Sequence, residues 1–431
     1  MPQHRLKAAA TKGPRQDVII VGGGIGGLTL ALMLHKAGIA CRVYDAVAEI
    51  KPVGVGINLL PHATKELCAL GLEDALANVG VTTADACFFN RYGQLIYREP
   101  LGRNAGFSTP QFSIHRGDLH QVLLDTCRKR IGAERIFAGW RCTRAGQNGD
   151  GATVHFQNTQ TGAELPPQTG HVAIGCDGIN SVIRKQLYPR EGEPLYSGVN
   201  MWRGVTRWAP FLSGASMTRA GWLATGKMVI YPIRNNIDAA GRQLVNWVAE
   251  VETPAYQRRD WNRPGNIDDF IAHYADWHFD WLDVPQFIRS ADVILEFPMV
   301  DQDPLPRWSH GRITLLGDAA HPMYPRGSNG AGQAILDARA LTDCLARNAD
   351  AVAALDAYDA LRREATANVV WMNRKNPPDA ILREVYMRTG DKPFRHIDDV
   401  ISAQELAALS EGYKRVTGSD KQTLAAGART R

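Results

Sequence analysis

A glycine turn set between two strand-like runs constrains this chain more than any other feature. Asp17-Val18-Ile19-Ile20-Val21 is a short apolar run of buried-strand type, and Gly22-Gly23-Gly24-Ile25-Gly26-Gly27 follows at once. Ile25 to Lys36 carries helical periodicity that stops at Gly38, and Cys41-Arg42-Val43-Tyr44 reads as the next strand. Such a βαβ unit needs parallel strands and a right-handed crossover. Gly22, Gly24 and Gly27 complete G-x-G-x-x-G: the first permits the tight turn, the second lets a pyrophosphate approach the backbone, and the third lets helix and strand pack closely. Ile25 and Gly26 open the helix whose amides would face the phosphates. Asp45, with Ala46 beside it, ends the second strand, where a carboxylate accepts hydrogen bonds from ribose hydroxyls.

That turn does not distinguish FAD from NAD, but two later motifs do. Cys176-Asp177-Gly178 follows an apolar strand (171–175) and opens a helix with Ser181 at its cap, so Asp177 and the Gly178 backbone would meet the pyrophosphate from a second direction. Gly317-Asp318-Ala319-Ala320-His321 follows the strand 313–316, placing a carboxylate where it can bond a ribityl hydroxyl. Pro325-Arg326-Gly327-Ser328-Asn329-Gly330-Ala331-Gly332 then leads into a helix whose free amides and dipole would stabilise negative charge at the N1–O2 edge of a reduced flavin. An NAD dehydrogenase has no use for such a helix terminus so far along the chain.

At 431 residues the chain suits one large or two intimately joined domains. Its mild net charge of +5, with Lys and Arg scattered, disfavours nucleic acid while allowing a pocket for an anionic small molecule. Seven cysteines without a C-x-x-C pair indicate neither a disulfide framework nor a metal site and favour a reducing cytoplasm. No apolar stretch is long enough to span a membrane. Residues 118–130 read as an amphipathic helix capped by Asp118, and 195–299 alternate in the manner of an antiparallel sheet rich in Trp and Val. The expected division is a disordered tail (1–16), a discontinuous FAD-binding domain (17–85, 112–190, 296–375), a substrate-binding β-sheet domain (86–111, 191–295), and a C-terminal helical appendage with a polar tail (376–431).

Taken together, the motifs resemble the single-component flavoprotein aromatic hydroxylases of the para-hydroxybenzoate hydroxylase fold. The similarity runs from about Asp17 to about Arg374 and includes Val53-Gly54-Val55-Gly56-Ile57-Asn58, Ser113-Ile114-His115-Arg116-Gly117, Met201-Trp202-Arg203-Gly204-Val205 and the stretch from Arg312 to Asp337. Within the family it is similar to members that oxidise phenazine carboxylates. The resemblance implies an α/β fold: a Rossmann-like FAD-binding domain of glutathione-reductase type, an inserted antiparallel substrate sheet, and C-terminal helices. It implies that Arg116 lies near the FAD pyrophosphate and ribityl, that Gly54, Val55 and Gly56 border the isoalloxazine, and that Pro325 packs near flavin C4a. Two departures stand out: Gly332 replaces an Asn common in relatives, and Arg326 sits where relatives carry a bulky apolar residue, so a cation either approaches the reaction site or points to solvent.

The implied reaction uses bound FAD, transient NADH or NADPH, and O2, through a flavin C4a-hydroperoxide, to hydroxylate an aromatic or heteroaromatic carboxylate, with or without loss of CO2. A second copy of the chain, in a homodimer, is the only macromolecular partner expected. Candidates for work on the substrate are Tyr231, Tyr324 and His62 for moving a proton, Trp202, Trp222 and Trp247 for stacking, and Arg203, Arg219 and Lys227 for a carboxylate, each with a structural alternative. An FAD oxidase or amine dehydrogenase sharing the first glycine turn, and a non-enzymatic flavin carrier, are the rival classes.

Overall fold

The computed structural model describes residues 17–48, 55–253, 263–375 and 379–424. The expected N-terminal tail, Val53 and Gly54, Pro377-Pro378 and the end of the polar tail lie outside them. The run Asp17–Val21 is the central strand of a five-stranded, wholly parallel sheet ordered Ile313–Leu315, Val172–Gly175, Asp17–Val21, Ala40–Asp45, Ile136–Ala138. Val18, Ile19 and Ile20 are buried completely because helices cover one face and the three-stranded antiparallel sheet of residues 140–170 covers the other. This sheet architecture is why its strands read as unbroken apolar runs instead of alternating ones. The helix Ile25–Lys36 is buried along most of its length against the helices Arg116–Ile131 and Gly330–Arg347.

An eight-stranded sheet forms the second layer, ordered from Arg263–Pro264 through Ala291–Asp301, Leu195–Trp208, Gln243–Glu252, Gly226–Arg234, Ser216–Trp222 and Asp85–Phe89 to Leu95–Pro100. All its neighbours are antiparallel except Ser216–Trp222 with Asp85–Phe89. Period-2 alternation gives it two distinct faces. Trp202 and Trp247 point to the rear, packing with Phe270, Tyr274, Trp277 and Phe287 in an aromatic core. Met201, Val248, Phe297 and Met299 point to the front, toward Tyr324 and the parallel sheet.

Two local expectations differ from the structure. The helix expected to start at an Asp118 cap begins at Arg116 with His115 at its cap, and Asp118 sits in the first turn paired with Arg234 of the large sheet. The chain beyond residue 379 is packed into the body: Ile381, Leu382 and Val385 of the helix Ala380–Thr389 share a buried cluster with Ala86, Phe88 and Ile96, and the helix Ala403–Thr417 contributes Leu406.

A buried charge cluster seals this junction. Asp379 receives Lys227 and Arg219 from the front of the large sheet, the latter at 3.2 Å, and Lys227 also donates to Glu250 at 2.9 Å. Burial alone would raise the Asp379 carboxyl, yet the two cations hold it below the usual carboxylate range. Removing one partner strands buried charges, so Asp379→Ala is expected to lower unfolding free energy by about 3–5 kcal/mol in urea titration at pH 7. Because the folded-state value is depressed, this contribution is present above the ordinary carboxylate pKa and is lost on acidification. The gap between wild type and variant should therefore narrow below about pH 4.

Candidate functional site

The three glycine and aspartate motifs sit at the carboxyl ends of adjacent parallel strands, the edge where open α/β sheets bind ligands. At the first, Gly22 has φ +108° and a β-carbon there would overlap the Cys176 carbonyl; one on Gly27 would overlap the carbonyl of Gly22. Both positions are closed by the protein itself. Gly24 is different: a β-carbon on it would meet no heavy atom within 4 Å, and the helix it caps has neither a side-chain cap nor an acidic residue in its first turn. Open space before a bare helix N-terminus is what a pyrophosphate needs. Asp45 accepts from the Gly23 amide at 2.6 Å and the Val47 amide at 2.6 Å, which fixes its carboxylate beside half-buried Ala46 with a lone pair on each oxygen to spare.

At the second motif, Asp177 accepts from the Val182 amide at 2.8 Å through one oxygen, while its other oxygen is buried without a protein partner; burial raises this carboxyl. Gly178 has φ +75° and open space where a β-carbon would stand. Ser181 caps the helix as expected, accepting from the Arg184 amide at 2.9 Å. At the third, Gly317 takes φ +63° and Asp318 is exposed between buried neighbours, 3.7 Å from where a β-carbon on Gly330 would lie. Arg184 joins the second motif to the third by donating to the carbonyls of Ala319 at 3.0 Å and Ala320 at 2.8 Å. Asp337 then bonds His321 at 2.5 Å, the Gly317 amide at 3.2 Å and Arg362 at 2.8 Å. The neighbouring His321 and Arg362 keep its carboxyl low despite complete burial.

The Val55-Gly56 loop is clamped from the front of the large sheet. Arg203 and Tyr231 donate to the Gly56 carbonyl at 2.9 and 2.8 Å, and the Gly56 amide donates to Asn246 at 2.6 Å. Val55 in turn accepts from the amide of Arg116, whose side chain is exposed. Tyr231 and one end of Arg203 are thus engaged with this backbone, the Arg203 Nε is buried without a protein partner, and burial raises the Tyr231 phenol. Tyr324 is buried, hydrogen-bonded to Asp301, and pushed up to about 12 by burial first and then by that carboxylate. Trp222 is half-buried between the front-face cluster and the C-terminal helices. Buried His62 faces Gly332 with both ring nitrogens lacking a protein partner, and burial lowers it to about 4, so it is neutral at pH 7.

Pro325 is exposed, and Ala331 and Gly332 follow Gly330 in the first turn of the helix Gly330–Arg347, which has no side-chain cap. Arg326 does not project freely into solvent: it is half-buried with its guanidinium 5.8 Å from the Tyr324 ring. Beside this loop opens a cavity of about 550 Å³, lined by Leu60, Pro61, Phe88, Met217, Arg219 and Gly327 and by the helix bearing Tyr413 and Lys414. Of the substrate candidates read from sequence, Arg219 alone lines it. Residues that sequence reasoning missed include His120, which donates to the Gly23 carbonyl at 2.6 Å, as well as Asn246 and Tyr413. None carries a motif; the helical spacing that puts His120 beside Gly117 and Leu124 was the one available signal.

The open space at Gly24, the unpartnered oxygen of Asp177 and the exposed carboxylate of Asp318 fit the phosphate and hydroxyl groups of one extended FAD. Fold and cradle together define an FAD-dependent aromatic monooxygenase. A family model described as FAD binding domain matches residues 15–372, and the chain belongs to that family. It is 39% identical to the phenazine 1,6-dicarboxylic acid hydroxylase PhzS of Lysobacter antibioticus over 94% of this chain and 98% of that one. It is 34% identical to the 3-amino-4-hydroxybenzoate 2-monooxygenase PtnB3 of Streptomyces platensis over 81% and 84%. Among solved structures, HpxO of Klebsiella pneumoniae in complex with FAD and uric acid superposes with a TM-score of 0.74 at 25% identity, over 94% of this chain and 98% of that one. No helix among the described residues is long and apolar enough to cross a membrane.

Two glycines separate fold from ligand. Gly27→Ala is expected to destabilise the apoprotein, whereas Gly24→Ala should leave its thermal midpoint within about 1 °C while weakening FAD binding at least about tenfold. Apoprotein melting and flavin-fluorescence titration read the two effects independently.

Proposed function

We propose that the chain hydroxylates a flat aromatic or heteroaromatic carboxylate held in the 550 Å³ cavity, with Arg219 meeting the carboxylate. One observation carries this reading: Gly327 and Arg219 line the same space, so a ring lying there faces both the 325–332 loop assigned to the flavin edge and a cation. The volume lies within the range of sites that take drug-sized ligands, roughly 300–1,000 Å³. Phe88, Tyr97 and Phe107 offer aromatic walls. Asp379 holds Arg219 by Nε, leaving the outer edge of its planar guanidinium for bidentate contact. Both named relatives act, by their names, on aromatic carboxylates.

FAD, when bound, accepts hydride from NAD(P)H and activates O2. The chain supplies the rest. Gly22–Gly27, Asp45, Asp177, Gly178, Gly317 and Asp318 hold the dinucleotide, and Arg116 adds positive charge near it. Arg203, Tyr231 and Asn246 fix the Val55-Gly56 peptide, Pro325 presents a surface without an N–H donor, and the amides of Ala331 and Gly332 meet charge at the ring. His62 stays neutral at neutral pH, so no imidazolium competes with those amides. Where the oxygen enters at the carbon bearing the acid, CO2 leaves; where it enters at a C–H carbon, a proton leaves and the carboxylate stays. The unpaired cysteines, four of them buried, support a reducing cytoplasm as the working compartment.

Arg219→Met should raise KM for aromatic acids by about tenfold to a hundredfold, the weight of a hydrogen bond to a charged group, and divert NAD(P)H oxidation to peroxide. An unchanged KM would overturn the assignment of Arg219. Product mass from ¹⁸O-labelled O2 separates the two chemical outcomes: one labelled oxygen gained with the carboxyl retained excludes decarboxylation.

A further inference from the structure

The helix Gly330–Arg347 starts at Asn329, a residue type that ordinarily caps its own helix by accepting from the second or third amide. Here it does not. Asn329 has φ −92° and ψ −28°, helical values instead of the extended ones that bring a capping side chain over the terminus, and no side-chain cap bond forms. Its Nδ2 donates instead to the Tyr413 hydroxyl at 2.6 Å, and its Oδ1 is buried without a partner. Tyr413 donates in turn to Asn373 at 2.7 Å and lies 3.3 Å from the Arg326 carbonyl. Gly327, at φ +72°, passes so close to the Tyr413 ring and hydroxyl that any β-carbon there would overlap them. Ser328 follows at φ +59°. A tyrosine from a helix more than eighty residues downstream therefore holds the loop 326–329 in a conformation its own sequence does not favour.

We propose that Tyr413 is a positioning residue that keeps Asn329 from capping its own helix, so that the amides of Ala331 and Gly332 stay open to the flavin ring. The inference rests on the placement of that helix terminus at the flavin given above. Its physical content is a competition for the same N–H groups between a side-chain amide two and three residues upstream and the electron-rich edge of the ring. Tyr413 decides it by engaging the side chain elsewhere and by fixing the backbone of residue 329. Released, Asn329 can turn to the extended region and satisfy the amides itself.

The test uses the holoenzyme. Tyr413→Phe keeps the ring and removes only the hydroxyl; it should weaken FAD binding by about fivefold to tenfold, the equilibrium weight of a typical cap, and move the flavin midpoint potential to more negative values, because the reduced ring loses its partners. The double variant Tyr413→Phe/Asn329→Ala, in which residue 329 has no capping group, should recover wild-type affinity and potential even though it removes one more buried hydrogen-bonding group. A merely structural role predicts the opposite, with the double variant no better than the single one. Ala331→Pro, which deletes one amide in a helical turn that tolerates proline, provides the control. If it shifts affinity and potential while Tyr413→Phe does not, or if the double variant fails to recover, the role given to Tyr413 is overturned. If Ala331→Pro itself leaves both unchanged, the placement of the terminus at the flavin is wrong and the inference goes with it.

Discussion

The cradle depends on one guanidinium. Arg184 leaves a helix that follows the Asp177 turn, is 1% exposed, and reaches the carbonyls of Ala319 and Ala320 in the Asp318 turn while pairing with Glu191. Two loops separated by some 135 residues are thereby fixed against each other by charge-assisted bonds in a dry environment, where such bonds are strong and directional. Asp337 extends the same lattice to the amide of Gly317 and to His321 and Arg362. Without this lattice the carboxylates of Asp177 and Asp318 would sit on independent loops; with it they form one rigid edge.

The large sheet divides its labour by face. Its rear is packed with aromatics, with Trp202 4.9 Å from Phe270. Its front carries Arg203, Tyr231 and Asn246 at one end, where the register aligns Val205, Asn246 and Tyr231 on neighbouring strands, and Arg219, Lys227 and Glu250 at the other. The first group grips the backbone of Gly56. The second grips Asp379 and leaves Arg219 at the cavity wall.

What the sequence made legible was local. Turn glycines, strand-end carboxylates and the Ser181 cap announce themselves within a few residues, because each solves a problem of the backbone beside it. Family and fold could be read from their order. The substrate side could not: Arg203 and Tyr231 have the right chemistry for a ligand, and nothing local shows that both also reach the carbonyl of Gly56, 147 and 175 residues away in sequence. Trp202 and Trp247 look like a stacking box until the pleat assigns them to the rear. Asp118 looks like a cap until Arg234 claims it from another sheet. The cavity wall comes from a helix whose spacing marks it only as amphipathic, so nothing local distinguished it from a surface appendage.

Lys227 and Asp379 are separated by 152 residues, and that distance is also a delay. At ordinary ribosomal speeds of roughly 5–20 residues per second, the lysine and its sheet partner Glu250 are made roughly 8–30 seconds before the second carboxylate, Asp379, arrives. Throughout that interval Arg219 lacks the carboxylate that will pair with it, and its hydrated guanidinium keeps the front of the nascent sheet wet. Dehydration of this surface is thus tied to the arrival of the downstream helix, and the chamber closes late in biogenesis, after the dinucleotide cradle's first turn has long been synthesised.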